Sequence, residues 1–377
     1  MTKKNGNGEG GITRHKKSGL YMARYTIETP TGKKRKTVYG KTRDEAHGKL
    51  IDALSNRNQG LIFDADNMNI GQYLGRWLAD SVRDTVRSTT FERYEQMVRL
   101  HIRPVLGKTK LKSLTPAHVR GLYRERLDAG LSRRTVQYVH VTLHKALKQA
   151  VMDGLIPRNA TEAVRPPQVR REEMRPLAPE QVKVLLEAAR GERLEALYVL
   201  AVTTGLRQGE LLGLKWEDVD LEDGTLRVRR TLVTAKGGPQ LTTPKTKGSR
   251  RTVRLTQSTV NALRRHLEQQ LGEIDRAGSL WRENGLIFCS ETGDPLDRRN
   301  VTAHRFKPLL KRAGLPQIRF HDLRHTCATL LLGRNVNPKI VSEMLGHASI
   351  AITLDTYSHV LPNMQSEAAK AMEDALS

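Results

Sequence analysis

The stretch from His321 to Tyr357 limits how this chain can fold more than any other. It carries His321-x-x-Arg324, then Leu345-Gly346-His347, then Tyr357. The apolar run Ala328 to Leu332 behind the first pair predicts a helix, and on a helix positions i and i+3 share a face. Ile340 to Leu345 predicts a short helix stopped by Gly346, which leaves His347 projecting from the turn. Ser349 can cap a further helix that carries Tyr357 about two turns on. Short helices hinged at a glycine would thus gather two imidazoles, a guanidinium and a phenol within 37 residues.

Each of these residues has an ordinary reading when taken alone. A histidine beside leucine is commonly a core histidine, and an arginine on a helix commonly an ion-pair residue. Together they describe a chemistry. The planar fork of Arg matches a phosphate bidentately, and a suitably activated Tyr forms covalent intermediates. A phosphoryl-transfer site built without metal follows. Tyr357 needs a base or a strongly positive site to attack at neutral pH, and His321 is placed to take its proton.

Upstream stands Thr203-Thr204-Gly205-Leu206-Arg207-Gln208-Gly209-Glu210-Leu211-Leu212-Gly213-Leu214. With this segment before it, the His321–Tyr357 stretch resembles the second catalytic box of the tyrosine recombinases, the phage integrase family, and the upstream segment resembles the first box. The resemblance runs from about Arg175 to Tyr357. Ten positions separate His347 from Tyr357, one more than in some members. It implies that Arg207, Arg324 and His347 hold the non-bridging oxygens of a phosphodiester, and that Glu210 orients Arg207. It places a general-acid lysine on a β-hairpin between the boxes, where Lys245 and Lys247 both qualify and Lys245 is preferred. It further implies a 3′-phosphotyrosyl intermediate, strand exchange through a Holliday junction and a homo-tetramer on double-stranded DNA. Neither cofactor nor metal is expected, since bond energy is kept in the covalent link.

Charge agrees with a polyanionic partner. Lys and Arg total 64 against 40 Asp and Glu, a formal net charge of +24, and phosphate contact makes nucleic acid the natural partner. Residues 1–60 carry 14 basic and 5 acidic groups, residues 61–170 carry 19 and 10, and the remainder 31 and 25. The excess therefore lies in the first half, away from the boxes. Cys289 and Cys327 are the only cysteines and match neither a disulfide framework nor a zinc site; Cys327 reads as a buried structural thiol. No apolar run of about 18 residues and no signal peptide is evident, so a soluble cytoplasmic protein without membrane contact is expected.

The expected fold is multidomain α+β. Residues 1–60 form a small module: strands at Leu20–Ile27 and Lys34–Tyr39 joined by a turn at Thr31-Gly32, then a helix from Arg43 to Ser55 capped by Thr42. With Lys33, Lys34, Arg35 and Lys36 on the hairpin, it resembles the arm-type DNA-binding domain of phage and conjugative-element integrases. Residues 67–156 form an all-α, SAM-like core-binding domain. Its helices run from Ile70 to Asp80, from Ser88 or Thr89 toward His101 with an end at Pro104 and Gly107, from Pro116, and from Arg133 to Met152 after Ser132. Arg87, Arg93, Arg99, Arg133 and Arg134 are its DNA-contact candidates. Residues 157–176 are a proline-punctuated linker. Residues 177–377 form the catalytic domain, mainly α with a small antiparallel sheet: strands at Thr225–Val233, Arg251–Leu255 and Leu286–Cys289, and a C-terminal helix over 365–377.

An integrase of a phage or conjugative element, integrating a viral or mobile genome, is favoured over three rivals. A chromosome-dimer resolving recombinase normally lacks the basic N-terminal module, and a type IB topoisomerase lacks the three-part layout. An inert DNA-binding regulator does not need every box residue. A DNA-bending host protein and a directionality factor are possible further partners.

Overall fold

The structure, a computed structural model, describes residues 12–16, 18–29, 32–58, 67–169, 174–235, 238–243, 250–357 and 372–376. The chain divides into two compact units, Met1–Arg171 and Glu172–Ser377.

The first unit opens with a three-stranded antiparallel sheet: β1 (Ile12–Arg14), β2 (Tyr21–Thr29) and β3 (Gly32–Gly40), in that spatial order. Helix α1 (Arg43–Asn58) follows, with Thr42 Oγ1 accepting from the Glu45 amide at 3.1 Å. Ala23, Tyr25, Leu50 and Ala53 form its small core. The same unit holds α2 (Ile70–Arg76), α3 (Ser88–Gln96), α4 (Arg103–Leu106), α5 (Pro116–Asp128) and α6 (Arg133–Met152). Helix α2 continues through Val82 and α3 through Ile102 with wider i→i+5 turns. The second helix thus does not stop at Pro104: helical backbone runs from Ile102 straight into α4, with Pro104 in it, and ends at Gly107. Thr115 and Ser132 cap α5 and α6 as their positions predict. Leu74, Ile102, Leu122, Leu143 and Leu147 fill the core between the helices.

The second unit is built around α8 (Glu195–Thr204), whose residues Ala196 to Val202 are all buried. A helix apolar all round has to be a central one. Helices α7 (Pro179–Ala188), α10 (Gln257–Ala277), α12 (Lys307–Arg312) and α13 (Asp322–Leu332) share its core through Leu185, Leu263, Leu309 and Leu323; each such leucine contributes about 1.5–3 kcal/mol by leaving water. Strands β4 (Val219–Asp220), β5 (Thr225–Val228) and β8 (Arg251–Arg254) form one antiparallel sheet, β6 (Thr231–Ala235) and β7 (Gly238–Thr242) another. The expected strand Thr225–Val233 is therefore two. The break falls at Arg229-Arg230, where Arg230 bonds the buried Asp218 carboxylate at 2.6 Å. Leu286–Cys289 is no strand but holds isolated bridges, Lys215 to Leu286 and Cys289 to Pro295. The short α9 (Gln208–Leu211) and α11 (Arg298–Asn300) and the helices α14 (Pro338–Leu345) and α15 (Ile350–Tyr357) complete the unit. Of the expected C-terminal helix, residues 372–376 are helical and the rest lies outside the described residues.

Candidate active site

Gly205 ends α8 in the left-handed region, φ 61°. A Cβ here would stand 2.4 Å from Leu345 Cδ2 and 3.3 Å from Cys327 Sγ, so only glycine allows this close approach. The approach brings the first box against α13 and α14. Arg207 follows as the N-cap residue of α9, and Glu210 one turn on accepts from its side chain at 2.7 Å and from its backbone amide at 3.1 Å. Glu210 thus accepts from both the side chain and the backbone of Arg207, and it also takes a second arginine. Arg251, on β8, donates to its other oxygen at 3.0 Å. Burial alone would raise the Glu210 carboxyl; Arg251 and Arg207 outweigh it and hold it below the usual carboxylate range.

The three arginines meet at the C-terminus of α14. Arg251 Nε donates to Met344 O at 2.6 Å, Arg324 Nη1 to Leu345 O at 2.7 Å, and Arg207 Nη2 to Gly346 O at 3.2 Å. These carbonyls have no helical partner and carry the negative end of the helix dipole, so each guanidinium is fixed by one of three successive acceptors. Gly346 permits the turn: its φ is 68°, and a Cβ would press on the Arg251 guanidinium at 2.9 Å. Arg324 also donates to Gly205 O at 2.9 Å. Its Nε and Nη2 make no hydrogen bond to the described residues. Burial, with the Arg207 and Arg251 charges, pushes its pKa down to about 10, so it stays charged at neutral pH. Three guanidiniums against one carboxylate leave a net positive, preorganised pocket suited to a phosphodiester anion.

Around it stand the aromatic groups. His347 leaves the α14 turn as its glycine predicts, and its Nδ1 lies 2.8 Å from Thr353 Oγ1 on α15. Burial and the Arg324 and Arg207 charges push its pKa down to about 4. His321 precedes α13 and Arg324 lies within it; the arginine is buried while the histidine is exposed. Though exposed by area, His321 loses water to the surrounding protein and adjoins His325 and Arg324, and its pKa falls to about 4. Tyr357 is 1% exposed at the end of α15, and burial pushes its phenol up to about 12 against the pull of Arg324. The tyrosine thus points into the pocket despite the longer spacing. Its hydrogen-bond partner among the described residues is not His321. It is His325, whose Nδ1 lies 2.7 Å from the Tyr357 hydroxyl; His321 meets that ring edge-on at a centroid distance of 5.0 Å. Burial raises the Cys327 thiol to about 12, as suits a structural residue.

Arg251 and His325 are the two site residues that sequence reasoning missed. His325 stands four residues after His321, on the same helical face, a signal that was available. Arg251 opens β8 directly after Arg250, and strand alternation predicts that one of two adjacent arginines points inward without saying which. Lys245 and Lys247 fall between β7 and β8 and lie outside the described residues. In the first unit, Arg93 and Arg134 are exposed and flank the Tyr138 ring, 4.6 and 5.2 Å from its centroid. Arg99 is exposed and pairs with Glu95 at 2.8 Å; Arg87 and Arg133 are exposed at the N-terminal ends of α3 and α6. Arg35 is exposed and Lys36 half-buried on β3, whereas the side chains of Lys33 and Lys34 lie outside the described residues. No described helix is long and apolar enough to cross a membrane.

The chain is similar to known proteins. The phage integrase family matches residues 175–364, and the phage integrase N-terminal SAM-like domain matches residues 69–127. A tyrosine recombinase XerC-like protein of Caldanaerobacter subterraneus subsp. tengcongensis is 35% identical over 90% of this chain and 92% of its own length. An integrase of Streptomyces ambofaciens is 31% identical over 95% and 94%. Among solved structures, the Tn1549 transposon integrase in complex with a circular intermediate DNA shares the fold, with a TM-score of 0.68 and 23% identity over 82% of this chain and all of that one. The chain belongs to the phage integrase family, the tyrosine recombinases, and is an enzyme of site-specific DNA recombination.

Proposed function

We propose that Tyr357 attacks the scissile phosphodiester of an attachment site and leaves the chain joined to a 3′-phosphate. The observation that carries this reading is the convergence of Arg207, Arg324 and Arg251 on one turn, beside a buried tyrosine hydroxyl. Arg207 and Arg324 hold the non-bridging oxygens as charge builds on them. His347, its pKa pushed down to about 4, is neutral at pH 7 and donates through a ring N–H. Losing one such donor typically slows the step by ~10²–10³. Lys245, or failing it Lys247, protonates the departing 5′-oxygen.

Two duplexes have four strands to cut, and each chain offers one Tyr357, so the recombining assembly is a homo-tetramer on two DNA duplexes. Residues 1–60 serve as the arm-type DNA-binding module and residues 67–156 as the core-binding domain, joined by 157–176 to a catalytic domain over 177–377. Arg93 and Arg134, held against Tyr138, are DNA-backbone contacts of the core-binding domain. The Tn1549 transposon integrase, alike in fold, was captured on DNA; a mobile element, phage or conjugative, is the proposed source of the substrate, acted on in the cytoplasm. A host bending protein and a directionality factor complete the expected partners.

The test is recombination between two plasmid-borne attachment sites without nucleotide. Exchanged product supports the recombinase. Relaxation of supercoils without exchange would instead indicate a topoisomerase.

A further inference from the structure

The motif His321-Asp322-Leu323-Arg324-His325 contains two imidazoles, and the fold gives them different places. His321 lies before the first turn of α13 and is exposed. His325 lies one turn on, half-buried, with Nδ1 2.7 Å from the Tyr357 hydroxyl and the two rings 5.8 Å apart. His321 stands at 88° to His325, at a centroid distance of 5.0 Å. It buttresses the ring that touches the phenol.

We infer that His325 is the proton acceptor for Tyr357 during cleavage and the donor that returns the proton when the strand is rejoined. This rests on Tyr357 being the nucleophile. In cleavage the bond from the Tyr357 oxygen to phosphorus forms and the bond from phosphorus to the 5′-oxygen breaks. The phenolic proton passes to Nδ1 of neutral His325, and the 5′-oxygen takes its own proton from a separate acid. In rejoining, the 5′-hydroxyl attacks, the tyrosyl–phosphorus bond breaks, and Nδ1–H protonates the leaving phenolate.

Three observations support the assignment. The distance is that of a direct hydrogen bond, the geometry first asked of a general base. The groups around the ring keep it neutral: burial, Arg319 and Arg324 lower its pKa, and only Asp322 opposes them. Nδ1 therefore has a free lone pair at pH 7 when the proton sits on Nε2. Finally, burial holds the phenol near about 12, so it needs an acceptor in contact as the bond to phosphorus forms. An arriving phosphodiester adds negative charge beside the imidazole and favours its protonated form.

The same contact could serve instead to tether Tyr357 in a resting pose, and a pair of substrates separates the roles. The first is a duplex bearing the core site from the ends of the element that carries the gene, nicked so that the covalent adduct accumulates. The second carries a 3′-p-nitrophenyl phosphate beside a free 5′-hydroxyl strand, tested in a Tyr357→Phe background. Its leaving p-nitrophenolate needs no proton donor. His325→Ala should form adduct ~10²–10⁴ slower than the parent yet join the p-nitrophenyl substrate within about threefold of the background rate. Arg324→Ala should lose both reactions, because the phosphate oxygens carry charge in each. His325→Asn repeats the measurement with a polar ring-sized replacement, and joining itself reports a folded site.

Adduct formation by His325→Ala at or above the parental rate would establish the tether and overturn the inference. Equal loss of both reactions by both His325 variants would overturn it too, leaving His325 a structural support. The split appearing in His321→Ala and not in His325→Ala would move the acceptor to His321. Tyr357→Phe still forming adduct would sink the nucleophile assignment itself, which no His325 result can mimic.

Discussion

Arg207 and Arg251 share a single carboxylate while Arg324 is held by carbonyls alone, and the site's positive character follows from that count. Glu210 orients two of them, so Glu210→Gln keeps the shape and removes the charge that holds them. Adduct formation should fall at least about tenfold, against the ~10²–10³ expected for deleting a donor outright. If Glu210 acts through Arg207 and Arg251, the same change in an Arg207→Ala, Arg251→Ala background should cost little more, a non-additivity that a purely structural role would not show. Equal, additive losses in both backgrounds would contradict the positioning role. Most of this site is legible in the sequence because its chemistry needs fixed residue types at fixed spacing: Arg207, Arg324, His347 and Tyr357 all reach the pocket. What is not legible is which of two adjacent candidates turns inward. Arg250 and Arg251 look alike on paper, as do His321 and His325, and only packing against Met344 and Tyr357 distinguishes them.

Among the elements, caps and glycines were the readable part. Ser132 caps its helix, and Gly346 ends its own in the left-handed region. Strand propensity alone failed at Arg229-Arg230, because the ion pair with Asp218 is a tertiary contact that a local pattern cannot express. The N-terminal sheet and α1 make a separate prediction. Residues 1–60 hold 14 basic and 5 acidic groups, a surplus of nine positive charges, and no box residue. Deleting them should spare cleavage of a core-site oligonucleotide while making the dependence of log affinity on log salt shallower on arm-bearing DNA, since the slope counts neutralised phosphates. Filter binding across a salt series measures this, and an unchanged slope would mean that the module does not touch DNA.

For the molecule as a whole, grip and chemistry are divided along the chain. Three-quarters of the charge surplus sits in residues 1–170, while every described group of the active site lies after residue 200. Such a division lets one end find the site by screened, long-range attraction and the other act through fixed contacts in a pocket of its own. The reaction turns on one bond. A denaturing digest of the stalled complex, read by mass spectrometry, should show a single peptide carrying DNA through Tyr357, attached at the 3′-phosphate, with the 5′-hydroxyl strand released. It should vanish in Tyr357→Phe, which should still bind the core site nearly as well as the parent. A linkage at another residue, or to a 5′-phosphate, would contradict the account.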